Sequence, residues 1–410
     1  MEPGLSDIYF FNPTCEYAVG NGQPSWQPNL LLQKMEEDLG ALPLYFASQK
    51  DVVLVHKVPP VQYISRMEDI GLKVPELFPV QEAGRNKTFA GRPKNRLLPW
   101  GWSPAAHRLL EPLKLSCSAE FLESPVAEWK SGYRDLYSRK LARDILISLL
   151  PELPSEIMIQ NHMLPEVCTS VEQIEELQSR WGKIMVKAPW SSSGRGLQPL
   201  TKIPLVPKVR EKLQGIINDQ GYAMAEPYLN KQLDMAFQFE LKKGKVQYLG
   251  ISRFFTDRKG RYEGNYLNGW PSGINSAVVK FADLMCQLLP GPLAAVIEAG
   301  KLAKSYEGNF GVDTLIYTDT EGTLRINPCL ELNLRLTMGL LSLRLGKMMV
   351  PGKKGIYKIW YHAEKSYLHF VQEMEQKYPL VLSGTLIESG FFPLLPVDEG
   401  TLFGAYIFVV

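Results

Sequence analysis

The sequence is short of groups that catalyse on their own. It holds five cysteines and five histidines in 410 residues. Cys15, Cys117, Cys168, Cys286 and Cys329 are far apart and contain no C-x-x-C pair, which argues against a disulfide framework or a cysteine-ligated zinc site. His56, His107, His162, His362 and His369 are equally scattered and read as structural or surface groups, and no Cys–His or Ser–His arrangement stands out. Charge of one sign is missing too. Lys plus Arg is 45 against 43 Asp plus Glu, a net +2, so nothing calls for nucleic acid or an anionic membrane as partner. No run approaches the roughly 18 apolar residues that span a bilayer. The opening MEPGLSDIYFFNPTCEY lacks the basic and apolar regions of a signal peptide, so a cytoplasmic protein is expected. Repeats and low-complexity tracts are absent.

What remains is an ordinary globular composition, 45% hydrophobic and 21% charged. At about 150 residues per domain the length suggests two or three compact units. The first unit alternates strand and helix. Residues 7–11 (DIYFF) form a short apolar strand before the turn-rich NPTCEYAVGNG, residues 30–39 have helical spacing, 43–46 and 52–55 read as buried strands, and 61–70 as a helix. That pattern favours a small, largely parallel α/β domain. Residues 85–96 carry five basic groups and no acid and read as a solvated loop. A long helical stretch ends near Leu150, where Pro151 and Pro154 stop it. Beyond it, a capping box opens a helix at Ser170. Strands are expected at 183–188, 222–227, 234–241 and 245–255, and helices at 209–219, 275–289 and 293–306. A last hairpin pairs 311–317 with 324–333 across TDTEG. Antiparallel strands with helices on one side make an α+β layer.

Two elements carry chemistry. The first is IMVK followed by APWSSSGRG. Lys187 ends the strand, and Ser191, Ser192, Ser193, Gly194, Arg195 and Gly196 form a small-residue loop whose backbone can approach an anion closely. It lacks the spacing of a Walker loop. The second element is the hairpin with Asp313 in GVDTLIY and Glu331 and Asn333 in CLELN. Alternation puts Glu331 and Asn333 on one strand face, and pairing through the turn brings Asp313 to them. Hard oxygen donors of this kind suit Mg²⁺. Arg335 lies on the same face. No acid follows Glu331 until Glu364, while Arg335, Arg344, Lys347, Lys353, Lys354 and Lys358 fall between, a pattern that fits bound polyphosphate.

Together these elements resemble the ATP-grasp superfamily over about residues 135–345, with serines replacing several glycines of the loop. The resemblance implies an α+β ATP-grasp fold at 131–345, an α/β pre-ATP-grasp domain at 1–130, and a segment 346–410 completing the ATP-grasp unit. It implies Asp313, Glu331 and Asn333 as ligands of two cations, Mg²⁺ or alternatively Mn²⁺, with Arg335 and Arg195 acting at the reacting groups. Lys140, Lys187 and the loop 191–196 would hold the phosphates of ATP. Lys140 is preceded by Arg139, where the family usually has an acid. Ala225, Glu226, Pro227, Tyr228 and Leu229 resemble the adenine hinge, and Asp234 the ribose contact. The implied activity is ATP-driven carboxylate–amine (or thiol) ligation through an acylphosphate. A small-molecule kinase and a nucleotide-binding regulatory protein are the alternatives. Partners would be a small carboxylate and an amine, with a homo-oligomer left open. The aromatic, Gly-rich residues 253–275 read as a substrate lid or a surface loop, and Asn12 and Glu16 as facing the substrate.

A lysine ending an apolar strand is costly to bury unless an anion meets it. From the sequence, Lys187→Met is expected to lower ATP affinity at least about tenfold, some 1.4 kcal/mol by calorimetric titration. Melting of the nucleotide-free protein should then be unchanged or raised, since an unpaired charge is removed; if Lys187 is instead paired with a protein carboxylate, the nucleotide-free protein should lose stability and ATP affinity should hold.

Overall fold

Parallel pairing comes first along the chain. The computed structural model describes residues 4–191, 196–257 and 260–410. Strands β1 (Ser6–Phe10), β2 (Val52–Val55), β3 (Glu76–Pro79) and β4 (Lys94–Pro99) make a sheet in the order β3-β2-β1-β4, with every pair parallel. The order reverses between β1 and β4, so their carboxyl ends, Phe11–Asn12 and Trp100–Gly101, flank the crevice where α/β sheets usually bind ligands.

Residues 43–46 do not form a strand. They lie in a 3₁₀ turn over Leu42–Tyr45, with Phe46 N–H donating to Pro43 O at 2.9 Å. Pro43 has no N–H for a ladder and suits a helical first turn. The basic stretch 85–96 is not a solvated loop either, since it holds the helix Lys87–Gly91 and the start of β4. Lys94 is 1% exposed, its ammonium donating to the carbonyls of Phe89, Ala90 and Arg92 at 2.7, 3.0 and 2.6 Å. It caps the helix end, where a cation is favoured.

The long helical stretch resolves into a helix at Ala119–Leu122, a 3₁₀ segment at Ser131–Tyr137 and a helix at Arg139–Leu149. A small antiparallel sheet follows: β5 (Glu166–Cys168), β6 (Ile184–Lys187), β7 (Leu197–Leu200) and β8 (Ala223–Pro227), ordered β5-β8-β6-β7. Its covering helix, Val171–Trp181, opens as expected: Gln173 N–H donates to Ser170 Oγ at 3.3 Å, and Gln173 Oε1 accepts from Thr169 N–H at 2.7 Å.

The third sheet has nine antiparallel strands: β9 (Asn230–Lys242), β10 (Lys245–Thr256), β11 (Tyr262–Leu267), β12 (Gly308–Thr318), β13 (Leu324–Asn333), β14 (Gly355–Tyr361), β15 (Val381–Ser383), β16 (Leu386–Pro393) and β17 (Phe403–Val409). Their order is β13-β12-β9-β10-β11-β14-β17-β16-β15. Lys243 and Gly244 (φ 49° and 75°) turn β9 into β10 with the geometry a two-residue hairpin prefers. Residues 253–275 are neither lid nor surface loop in the main: Arg253 pairs with Tyr266, and β11 continues onto β14. The helix read at 293–306 breaks at Gly300 into Pro290–Ala299 and Leu302–Ser305.

Among the described residues, five hydrophobic clusters hold the sheets, and the two largest bear on the site. One packs Phe237, Phe239, Phe310, Val312 and Ile316 against the helices Arg139–Leu149, Ser276–Leu288 and Pro290–Ala299. The other joins the N-terminal sheet (Phe11, Val53, Val55) to the last strands (Tyr357, Ile387, Phe392, Ile407). Tyr45 and Tyr63 hydroxyls both donate to Leu394 O, at 2.7 and 2.8 Å. Chain beginning and chain end thus share one interior. Among the described residues, no single helix is long and apolar enough to cross a membrane.

Thr14, in the loop after β1, donates to Glu36 Oε1 at 2.5 Å, and burial pushes the Glu36 carboxyl up to about 7 despite that hydrogen bond. Between pH 4.5 and 7 the unfolded chain has lost this proton while the folded chain keeps it. This group's contribution to stability therefore falls as pH rises through that window. Glu36→Gln keeps an acceptor for Thr14 and removes the ionisation. Its melting temperature should exceed the parent's at pH 8 and fall less between pH 5 and 7.

Candidate active site

The site begins with strand register. On β12 and β13, Asp313 faces Glu331 and Gly311 faces Asn333. On the other side of β12, Asp313 pairs with Ala236 and Gly311 with Gln238. Residues two apart share a face, so Asp234, Asp313, Glu331 and Asn333 form one polar row on a sheet whose opposite face carries Phe237, Phe239 and Val312. β13 bulges between Asn327 and Glu331, since four residues there oppose the two steps from Leu315 to Asp313. Pro328, which cannot donate to a ladder, sits in that bulge.

Burial, and then the facing Glu331, push the Asp313 carboxyl up to about 7, while Arg335 and a hydrogen bond with Asn333 pull it back. Arg335 Nη2 donates to Asn333 Oδ1 at 2.9 Å, and Arg335 Nε lies 3.0 Å from Glu16 Oε1. Burial opposes the Arg335 charge, but Glu16 and its neighbours outweigh it and hold the guanidinium above its ordinary value. Glu331 Oε2 is paired with Arg139 Nη1 at 2.7 Å. Asp234 is paired with Lys231 at 2.6 Å; burial nonetheless raises its carboxyl. No cluster of three or more His, Cys, Asp or Glu with metal-binding geometry occurs among the described residues. The donors brought together are two carboxylates and an amide. They fit a hard divalent cation, because all three offer oxygen and the two carboxylates face each other in register.

The sequence reading is altered at several residues. The helix from Arg139 presents that arginine to Glu331, and Lys140 is exposed. Arg139 is the residue sequence reasoning missed. Its signal was present as a basic group where the resemblance leads one to expect an acid. Lys187 is not an unpaired charge. Its ammonium contacts Glu226, whose side chain was expected to matter only through its backbone, and the two side chains are 7% and 13% exposed. Asn12 does not face a substrate: it is hydrogen-bonded both ways to the Gly101 peptide, at 2.8 and 3.3 Å. Glu16 turns instead to Arg335, and its Oε2 is buried with no hydrogen-bond partner among the described residues. Of the basic run, Arg335 sits beside Asn333, whereas Arg344, Lys347 and Lys354 are exposed and Lys358 lies 3.7 Å from Glu263.

Ser191 is buried, its hydroxyl 3.4 Å from Arg139 Nη2. Gly196 O accepts from Ala188 N–H at 3.0 Å, and a Cβ at Gly196 would meet Ser191 Oγ at 2.2 Å. Ser192, Ser193, Gly194 and Arg195 lie outside the described residues. Pro227 ends β8, and Tyr228 and Leu229 make the crossing to β9, with Tyr228 N–H donating to Lys183 O at 2.9 Å. Thiol chemistry has no support here, as burial pushes Cys15 and Cys329 well above the usual thiol range. His107 is buried against Trp102 and lowered to about 3, and His162, His362 and His369 are exposed. Beyond Arg335, between β4 and the end of β9 with the start of β12, lies a cavity of about 160 Å³ lined by Trp100, Trp102, Glu240, Tyr306 and Asn309 among others.

A parallel α/β unit, a small four-stranded grip and a large antiparallel sheet bearing an acid opposite E-x-N define the class: the chain has the ATP-grasp fold, preceded by a pre-ATP-grasp-like α/β unit. Solved structures of this class superpose along the whole chain. A biotin carboxylase–β,γ-ATP complex from Campylobacter jejuni is 10% identical, with TM-score 0.53, covering 100% of this chain and 88% of that one. An ADP complex of N5-carboxyaminoimidazole ribonucleotide synthetase is 11% identical, with TM-score 0.52, covering 100% and 93%. The biotin carboxylase domain of Hydrogenobacter thermophilus 2-oxoglutarate carboxylase, solved as a dimer with MgADP, ADP and bicarbonate, is 11% identical, with TM-score 0.51, covering 99% and 86%. At such identities the likeness is one of fold. No protein-family model matches the sequence. No curated protein matches it either.

The pairing of Lys187 with Glu226 selects the paired-carboxylate outcome for the stability of Lys187→Met. Lys187→Met leaves Glu226 without its cation in a mostly buried position, so the nucleotide-free protein should lose about 3 kcal/mol in denaturant unfolding. Gly101 gives a second handle, because a Cβ there would meet Cys15 Sγ at 2.3 Å and Arg335 Cβ at 3.1 Å. Gly101→Ala should lower the melting temperature by several degrees, and Gly91→Ala, where nothing lies within 4 Å, should change it little.

Proposed function

We propose that this chain is an ATP-dependent carboxylate–amine ligase. One observation carries the reading: Asp313 and Glu331 face each other in register with Asn333 beside them, on the fold whose solved examples include complexes named with ATP, ADP and MgADP. Residues 1–130 are taken as the preceding domain, 131–345 as the nucleotide-gripping unit, and 346–410 as its completion. Asp313, Glu331 and Asn333 would hold Mg²⁺, which when bound supplies positive charge to the triphosphate.

The remaining work falls to the protein's own side chains. Lys187 meets phosphate oxygens, exchanging part of its contact with Glu226 for the ligand, while Arg139 keeps its pair with Glu331 and sets its charge beside the phosphates. Loop 191–196, Arg195 included, is assigned to the phosphates, the backbone of 226–229 to adenine, and Asp234 to ribose. Lys140, being exposed, is placed at the outer rim. Arg335, held by Glu16 and Asn333, is oriented to meet an acyl oxygen, and the adjoining cavity takes the acceptor side. The γ-phosphoryl group passes to a substrate carboxylate oxygen and ADP departs. The amine nitrogen then attacks the acyl carbon, phosphate leaves, and the amine gives up a proton. Preorganised charge provides most of the acceleration. Five unpaired thiols fit a reducing, cytoplasmic setting.

The test is phosphate release with ATP and Mg²⁺ across amino acids, short peptides and small dicarboxylates. Release that requires both an acid and an amine identifies a ligase, whereas ADP formed with a phosphorylated hydroxyl acceptor would identify a kinase. Glu331→Gln should lower turnover by about 10²–10³-fold with an unchanged circular dichroism spectrum. Undiminished turnover in that variant would remove the metal assignment.

A further inference from the structure

The helix that starts at Arg139 delivers a guanidinium into the carboxylate row. Arg139 Nη1 lies 2.7 Å from Glu331 Oε2, and the side chains are 7% and 23% exposed. Three other contacts pin the same residue to the stem of the loop after β6. Its backbone N–H donates to Pro189 O at 3.2 Å, its Nε to Ala188 O at 3.1 Å, and its Nη2 to Ser191 Oγ at 3.4 Å. An arginine does not give up its proton in proteins. The result is a permanent positive charge fixed at one oxygen of Glu331.

Two divalent cations held about 4 Å apart need a carboxylate that offers an oxygen to each of them. The row has few oxygens to spare for that. Asp234 is engaged by Lys231 at 2.6 Å. Asn333 brings a single amide oxygen that already accepts from Arg335 at 2.9 Å. Glu331 has one oxygen committed to Arg139, and Asp313 is hydrogen-bonded to Asn333, so the facing carboxylates offer the other Glu331 oxygen and what the Asn333 contact leaves of Asp313. That set is enough for one ion completed by water and phosphate oxygens.

Resting on the nucleotide reading above, we infer that this site takes a single divalent cation and that the Arg139 guanidinium occupies the place of the second. The two-cation expectation drawn from the resemblance is replaced. Arg139 does two jobs in this arrangement: it supplies one fixed positive charge beside the phosphates, and it joins the loop stem to a metal ligand. An ion in its place could dissociate, whereas the arginine stays.

The full-length protein is titrated with Mn²⁺ at saturating non-hydrolysable ATP analogue, and bound Mn²⁺ is counted from the electron paramagnetic resonance signal of the free ion. The expected result is one tight Mn²⁺ per chain without a spin-coupled Mn–Mn spectrum. In Arg139→Ala and Arg139→Gln a second Mn²⁺ should bind at least tenfold more tightly than any second ion does to the parent. Two tight, spin-coupled ions in the parent overturn the single-ion assignment and leave the nucleotide reading standing. A folded variant that still takes one ion removes Arg139 as the cause. An analogue that fails to bind at all, by calorimetry, overturns the nucleotide reading and this inference with it. The parent's count decides even if neither variant folds.

Discussion

Two like charges facing each other across one strand pair govern much of the surrounding structure. Asp313 and Glu331 sit in register on a sheet whose other face carries Phe237, Phe239 and Val312. In such surroundings carboxylates repel more strongly than in water, and Asp313 resists ionisation. The chain answers with cations from both directions along the sequence. Arg139 arrives from the helix preceding the small sheet, and Arg335 from the residues just beyond β13. Arg335 then needs a counter-charge of its own and finds it in Glu16, more than three hundred residues earlier. The N-terminal unit is thus bound to the site by charge as well as by its shared core.

That chain of dependence explains local features that look incidental. Gly101 has no side chain because Cys15 and Arg335 come within van der Waals distance of where one would be. Asn12 clamps the Gly101 peptide, and Leu336 N–H donates to Trp100 O at 2.7 Å, so β1, β4 and the segment after β13 meet at the point where the parallel sheet reverses its order. Behind Asn333, Gln238 accepts from Thr337 at 2.6 Å and donates to Ser252 at 3.0 Å. The residues around the reactive row are held by a satisfied hydrogen-bond network, which limits the orientations Asn333 and Arg335 can take.

The charged groups lining the crevice are largely paired within the protein. Lys187 has Glu226, Arg139 has Glu331, Lys231 has Asp234, and Arg335 has Glu16. A polyanionic ligand drawing on Lys187 would therefore exchange partners there rather than fill a bare position, while Arg139 keeps Glu331. Such exchange lowers the net gain from each new contact, because a buried pair must be opened before the ligand is bound. It also keeps the lysine and arginines in place before a ligand arrives.

Much of the site was legible from residues alone. Alternation in CLELN and the short turn TDTEG place Asp313, Glu331 and Asn333 together, because a period of two and a hairpin leave few other registers. The strand ending in Lys187 and the capped helix at Ser170 follow from equally local patterns. What the sequence could not reveal were the partners. Glu16 meets Arg335, Arg139 meets Glu331 and Lys187 meets Glu226 across strands and units far apart in the chain, and local periodicity carries no information about such meetings. Residues 43–46 and 85–96 were misread for a related cause: burial of Leu42–Tyr45 and the capping of a helix end by Lys94 are set by what packs against them. Sequence determined which groups share a strand face, since that depends on backbone geometry. The tertiary structure decided which charges neutralise which, since that depends on distance in space and on how little water remains between them.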